Sequence, residues 1–276
     1  MSKKLELKEH LQQLQSISDI LGAMKNLAVL ESQKVSRRLE NLGQFARELD
    51  QYLGELTDFQ GDIIHGQQDD EIFVLIGSER GFCAEFNERL AAEVNTADFK
   101  SQHPLARIVV VGEKLQSKMG EDDRVIEVLE GANVIDDIQV VLTTLVDCLA
   151  DLTAEHSGTT VTAIFHENNR RLIKAKSVMP PDLSEAPGKK HRISPILYLP
   201  PEKLLREILD QYVFVLLSDI AHRSLSAENQ YRAQHLTGAI RKLDDATADL
   251  NRKYHMQRQE EIIEEIEVIL LSAIDQ

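Results

Sequence analysis

The chain has 276 residues, 42% of them hydrophobic and only 5% aromatic, with 28% charged and a formal net charge of −15. This is enough apolar material for one or two domains, but it lacks the rings of a large sandwich or barrel and carries the residues that long solvated helices use. The charge argues against a nucleic-acid partner, which needs clustered Lys and Arg that are absent here, and two cysteines, Cys83 and Cys148, match no disulfide framework or zinc spacing and indicate a reduced, cytoplasmic setting.

From the N-terminus, Met1 to His10 is charged from the start and lacks the apolar core of a signal peptide. No apolar stretch of the chain approaches 18 residues, so any membrane association is expected to go through other proteins. Leu7, Leu11, Leu14, Leu21, Met24 and Ala28 then step by three, four or seven, a seam of the coiled-coil kind. Val35, Leu39, Leu42, Phe45, Leu49 and Leu53 continue it, which predicts one helix from about Leu5 to Phe59. Gly22, Gly43 and Gly54 each cost that helix about 1 kcal/mol against alanine.

Between roughly Glu71 and Pro200 short β-branched runs alternate with amphipathic helices. Ile72–Ile76, Arg107–Val111, Val125–Leu129, Thr160–Phe165 and Leu172–Val178 read as strands, with helices at Glu85–Val94 and Val134–Glu155. This alternation predicts βαβ units and a mostly parallel sheet. Met179–Pro201, with six of the seven prolines, is expected to be a loop that closes the domain.

Glu202 to Gln276 contains no proline and one glycine, Gly238. A helix of that length extends about 110 Å at 1.5 Å per residue, while a compact globule of this size is only about 50 Å across. Such a helix is expected to project and to need partners along its length. Its seam is read through Ile208, Tyr212, Leu216 and Ile220, then Leu236, Ile240, Leu243, Leu250 and Tyr254, then Ile262, Ile266 and Ile269. The architecture expected is an α/β central domain, residues 71–200, flanked by a helix over 1–60 and another over 202–276 that form an antiparallel coiled coil. Glu260, Glu261, Glu264, Glu265 and Glu267 read either as a solvated helix face or as a surface for a basic partner.

No catalytic constellation emerges. Gly77-Ser78-Glu79-Arg80-Gly81 sits where phosphate loops sit, between strand and helix, yet it matches neither Gly-x-x-x-x-Gly-Lys-Ser/Thr nor Gly-x-Gly-x-x-Gly and reads as a turn. The nine histidines show no metal spacing, and His166-Glu167 reads as a surface pair. Cys83 lies near a helix N-terminus, but Glu79 and Glu85 oppose a thiolate there. A Gly-x-Ser-x-Gly elbow is absent. No catalytic, cofactor or metal site is expected.

Three stretches resemble the gamma subunit of F-type ATP synthases. Ala23-Met24-Lys25-Asn26-Leu27-Ala28 is similar to that family's Ala-Met-x-Met-Val-Ala. Ser78-Glu79-Arg80-Gly81-Phe82-Cys83 with Phe86-Asn87 is similar to its Ser-Asp-Arg-Gly-Leu-Cys…Asn. Tyr212-Val213, Glu228, Arg232, Tyr254, Arg258-Gln259 and Glu265-Ile266 fall at the family's spacing without a gap. Together they cover nearly the whole chain.

The resemblance implies a non-catalytic rotor subunit, one copy per complex, whose coiled coil stands in the bore of a catalytic head of alpha and beta subunits. It implies an epsilon subunit and a membrane ion-carrying ring as further partners, and a peripheral location on the cytoplasmic face of the cell membrane. Arg258 and Gln259 would correspond to the pair that meets catalytic-subunit loops, Glu265 to a further contact, and Met24 to a residue on the facing helix near an acidic lever. The sequence departs from the family where a basic segment reads Ser16-Ile17-Ser18-Asp19-Ile20-Leu21, where a lysine is Glu31 and where a threonine is Ile263. These changes resemble a divergent branch, such as an alternative ATPase complex of a prokaryote. The alternatives are a coiled-coil scaffold or assembly protein without a rotary role, and a small enzyme built on the α/β domain.

Overall fold

The structure, a computed structural model, describes residues 3–60, 70–154, 158–167, 172–181 and 200–274. Two helices bound the chain, α1 over Lys3–Gln60 and α6 over Pro201–Ile274, the latter opening with proline at its first turn, where a missing N–H is harmless. The elements between them are β1 (Asp70–Ile76), α2 (Phe86–Asn95), α3 (Ala97–Gln102), β2 (Arg107–Val111), α4 (Glu113–Met119), β3 (Val125–Leu129), α5 (Ile138–Ala154), β4 (Thr159–Glu167) and β5 (Leu172–Met179). The proline-rich stretch read from the sequence lies, between 182 and 199, outside the described residues.

The chain divides into two compact units, one of Met1–Ala28 with Ala233–Gln276 and one of Val29–Arg232. In the first, the ends of α1 and α6 pack as an antiparallel pair. On α1 the shielded positions include Lys4, Leu7, Leu11, Leu14, Ser18, Leu21, Lys25 and Ala28, and on α6 they include Leu236, Ile240, Leu243, Thr247, Leu250, Tyr254, Gln257 and Glu261. Steps of three and four make a heptad seam on both helices. The pairing closes with Lys4 Nζ donating to Glu261 Oε2 at 2.8 Å.

That closure corrects the last part of the seam read from the sequence. Ile262, Ile266 and Ile269 are 44%, 51% and 65% exposed. The heptad runs through Gln257 and Glu261 and not through these isoleucines, which lie on another face of α6. Phe45 is likewise exposed, because the α1 heptad passes through Ala46.

The second unit is built on a five-stranded sheet of order β3-β2-β1-β4-β5, parallel except for the antiparallel edge strand β5. Strand alternation sorts its side chains. Ile72, Val74 and Ile76 of β1 face one core, shared with Val35 and Leu53 of α1, Leu142 and Leu145 of α5, and Leu216 and Ile220 of α6. Phe73 and Leu75 face the other, shared with Phe86 and Leu90 of α2 and Leu115 of α4. Covering both faces explains the unbroken apolar runs of β1 and β2.

The helix expected over Val134–Glu155 is two pieces. A 3₁₀ turn at Ile135–Asp137 precedes α5, and the Asp137 carboxylate accepts from the N–H groups of Asn133 and Val134 at 3.0 and 3.1 Å. Helices α3 and α4 were not expected from the sequence; α3 buries no residue, so it carries no periodic signal.

Candidate functional site

In a sheet of this order the strand connections reverse direction between β1 and β4, and the crevice beyond the carboxyl ends of those strands is where α/β proteins place ligands. Here the crevice is occupied by the chain itself. Ser224 of α6 donates its hydroxyl to the carbonyl of Ile76, the last residue of β1, at 3.0 Å. One and two turns farther along the same helix face lie Glu228 and Arg232, both buried.

Arg232 spends its guanidinium on the loop after β1. Nε donates to Gly81 O at 3.2 Å, Nη2 reaches Arg80 O at 3.5 Å and Cys83 Sγ at 3.3 Å, and Nη1 donates to Asn229 Oδ1 at 2.9 Å. Nη2 also pairs with the Glu228 carboxylate. The loop is anchored on its other side by Asn87 of α2, which accepts from Ser78 N at 3.0 Å and donates to Ser78 Oγ at 2.8 Å. Phe82 and Ala84 on either side of Cys83 adopt φ of +65° and +50°, a left-handed backbone that turns the Cys83 thiol inward. The family-like residues Ser78, Arg80, Gly81, Cys83, Asn87, Glu228 and Arg232 thus form one clamp between α6 and the loop.

The electrostatics of the clamp disfavour chemistry. Burial first, and Glu228 second, push the Cys83 thiol up to about 12. The sequence placed the opposing charge on Glu79 and Glu85; the carboxylate that acts is Glu228. Glu228 is itself pushed up by burial to about 7, against the pull of Arg232 and then Arg80. His166, read from the sequence as a surface residue, is fully buried at the end of β4, where Nε2 donates to Phe86 O at 2.8 Å and the ring stacks on Phe86 at 4.2 Å. Its place on a strand that is covered on both faces buries it, and burial lowers its pKa to about 4.

The phosphate-loop position is also taken. Glu79 Oε2 accepts from Glu113 N, at the start of α4, at 3.1 Å and from Gly131 N at 2.7 Å. These amides follow β2 and β3, so Glu79 ties the loop after β1 to its two neighbours. A Cβ on Gly77 would lie 2.3 Å from Leu115 Cβ, so that glycine serves the packing of α4.

The remaining site residues from the sequence lie on the paired helices. Arg258, Gln259 and Glu265 are exposed on α6, and Met24 is half-buried on α1. Arg258 stands one turn from Glu261 and therefore beside Lys4, whereas Met24 is twenty residues along α1, about 30 Å away at 1.5 Å per residue. The structure groups Arg258, Gln259 and Glu265 near one end of this unit and sets Met24 apart. Glu31, which replaces a family lysine, pairs with Lys34 at 2.6 Å and accepts from Ile135 N at 3.5 Å. Sequence reasoning did not find the clamp itself; the only signal was the spacing of Glu228 and Arg232, which also fits a solvated ion pair.

A family model described as ATP synthase matches residues 3–273. The ATP synthase gamma chain of Lachnoclostridium phytofermentans is 24% identical, with 99% of each chain covered. That of Clostridium perfringens is 22% identical, covering 96% of this chain and 95% of its own. Among solved structures, a chain of the Euglena gracilis mitochondrial ATP synthase rotor aligns at a TM-score of 0.66 and 12% identity, over 94% of this chain and 98% of that one. A chain from the central stalk and c-ring of the Tetrahymena thermophila mitochondrial ATP synthase aligns at 0.56 and 17% identity, over 80% and 99%.

Proposed function

The chain belongs to the ATP synthase family and is a gamma subunit of the central stalk, and on that premise we propose that it works as a rotor, coupling ion flow through a membrane ring to ATP synthesis or hydrolysis in a catalytic head. The observation that carries this reading is the pair of uninterrupted helices, 58 and 74 residues long, in a chain matched from residue 3 to 273. The partners are then alpha and beta subunits around the coiled coil, an epsilon subunit and the ion-carrying ring, with one copy of this chain per complex. No described helix is long and apolar enough to cross a membrane, so the attachment proposed is peripheral, on the cytoplasmic face, through the complex.

The subunit is non-catalytic in this reading, and the plugged crevice between β1 and β4 supports that. Its action is that of an asymmetric cam. A rotating contact shifts the equilibrium of each catalytic site only by its differential affinity for that site's conformations. Few, unequal contacts serve this better than a uniform charge, and Arg258, Gln259, Glu265 and Met24 are the residues proposed to make them. The test is Arg258→Ala with Gln259→Ala in the reconstituted complex. Coupled ATP turnover is expected to fall while the isolated chain keeps its helical content and thermal midpoint. Unchanged turnover removes the pair from the mechanism. Recovery of the chain at other than one copy per three of each large head subunit would instead favour a scaffold or assembly role.

A further inference from the structure

Inside the α/β unit, α1 and α6 share an apolar core in which Val35 and Leu39 of the first meet the cluster that holds Leu216 and Leu225 of the second. Between those two α6 residues lie Asp219 and His222, both buried. His222 is bracketed on α6 by residues that approach α1. The Ser226 hydroxyl, one turn on, is 3.5 Å from that of Ser32, and a Cβ built on Gly43 would lie 4.0 Å from Arg223 Nη2.

The hydrogen bonds at this level are incomplete. His222 Nδ1 is 2.7 Å from Ser218 O, and because a carbonyl only accepts, Nδ1 donates and the neutral ring presents Nε2 as an acceptor. Asp219 Oδ2 accepts from Arg223 Nε at 2.7 Å, while Arg223 Nη1 lies 3.8 Å from Glu167 Oε1 at the end of β4. His222 Nε2 and Asp219 Oδ1 remain as buried acceptors that meet no donor among the described residues. Unmet buried acceptors cost stability, so this level is a weak point in an otherwise apolar contact.

A proton on Nε2 turns that acceptor into a donor but places a positive charge inside the unit. Burial is the largest influence on the ring and opposes the charge; the Ser218 carbonyl favours it, Arg38 of α1 opposes it and Asp219 favours it. The balance holds the ring neutral below its ordinary value of 6.5. Access to water relieves a buried charge, and movement of α1 away from α6 grants that access while taking Arg38 away.

We propose that His222 is a proton-operated latch between α1 and α6: the helices stay paired at this level while the ring is neutral, and α1 opens here when the ring takes up a second proton. The latch lies within the α/β unit and needs no partner chain. The rotor reading gives it a use, since acid would then slacken the shaft where the α/β unit grips it, but the latch stands without that reading.

The folded ring has the lower pKa, so the paired state holds its full advantage above pH 6.5 and loses it as pH falls below. Uptake of one proton raises the opening equilibrium about tenfold between pH 7.5 and 5.5. The test is hydrogen exchange of the full chain at those two pH values, corrected for the intrinsic pH dependence of exchange. Amides of α1 from Val35 to Leu42 should quicken about tenfold in the wild type and in His166→Leu, and should not respond in His222→Leu. An unresponsive wild type, or an equal response in His222→Leu, overturns the proposal, as does loss of the response in His166→Leu. Titration of the His222 ring in the wild type, followed by NMR, decides the matter even where the leucine variant does not fold: a midpoint below 6.5 supports the latch, and one at or above 6.5 overturns it. Coupled turnover of the reconstituted complex that ignores an opening seen by exchange would count against the rotor reading and leave the latch in place.

Discussion

The α/β unit hides polar groups and the paired-helix unit shows apolar ones. In the former, Ser78, Asn87, His166, Ser224, Glu228 and Arg232 are buried and tied to one another or to backbone. In the latter, Met256, Ile262, Ile263, Ile266 and Ile269 stand in solvent. Buried polar groups that bond one another or the backbone hold a unit together from inside, whereas exposed apolar stripes mark surfaces that another chain completes. The family-like residues divide the same way. Ser78 to Cys83, Asn87, Glu228 and Arg232 hold the fold, and Arg258, Gln259 and Glu265 face outward.

The sharpest way to break this contrast is to truncate one arginine from each unit. Arg232→Ala removes the bonds of Arg232 to the carbonyls of Arg80 and Gly81 and takes the arginine from the buried Glu228 carboxylate, so a loss of about 3–5 kcal/mol is expected in denaturant unfolding of the isolated chain. Arg258→Ala should leave the midpoint unchanged, as most exposed substitutions do. Equal losses at the two positions would abolish the distinction.

Acid sharpens the same contrast, since the two most perturbed titrating side chains of the physiological range, His166 and Glu228, both lie in the α/β unit. His166 falls from 6.5 to about 4 on folding, so its contribution is complete above pH 6.5 and is lost as pH drops toward 4, by about 3 kcal/mol. Glu228 rises from 4.5 to about 7, so its contribution has the opposite slope, lost as pH climbs from 4.5 through 7. The two partly cancel in the wild type. His166→Leu should therefore resist acid better than the wild type, and Glu228→Gln should lose stability more steeply below pH 6.5. Parallel pH curves for all three proteins would refute the assignment.

Glycines give a smaller test with opposite signs. Gly77→Ala drives a Cβ to 2.3 Å from Leu115 Cβ and should cost about 1–3 kcal/mol. Gly22, in α1 of the paired-helix unit, has nothing within 4 Å of a built Cβ, and its replacement by alanine should raise stability by about 0.5–1 kcal/mol. Two changes of the same sign in thermal unfolding would show that the units do not differ in packing.

Much of the fold was legible in the sequence because it repeats. The five strands read from it overlap the five observed; β1 and β2 are apolar runs because both faces of the sheet are covered there, while the edge strand β5 alternates apolar residues with Lys174 and Lys176. Short helices left no such trace: α4 buries only Leu115 and Met119. Heptad phase was harder to read than heptad existence. Phe45 and Ile266 are larger and more apolar than Ala46 and Glu261, yet the latter two hold the seam, because phase is set by the partner helix and its end and not by hydrophobicity. The clamp was hidden for a different reason. Glu228 and Arg232 have the spacing of an ordinary solvated ion pair, and only the loop after β1, 145 residues earlier at Cys83, turns them into buried groups.

The smallest expected effect belongs to the ion pair between α1 and the far end of α6, Lys4 with Glu261. Both side chains keep solvent contact, 38% and 30%, so salt screens the pair and its removal by Lys4→Ala should not move the thermal midpoint of the chain. Its effect should be local. The pair sits in the first described turn of α1, where Lys4 is a shielded position of the seam. Hydrogen exchange of the amides in the first two turns of α1 should therefore quicken in the variant, while exchange around Leu236 and Ala28, the fully buried positions of the same unit, stays unchanged. Quickening at Leu236 as well would mean that the unit opens as one cooperative block, and the contrast with the α/β unit would then be one of surface alone and not of local stability.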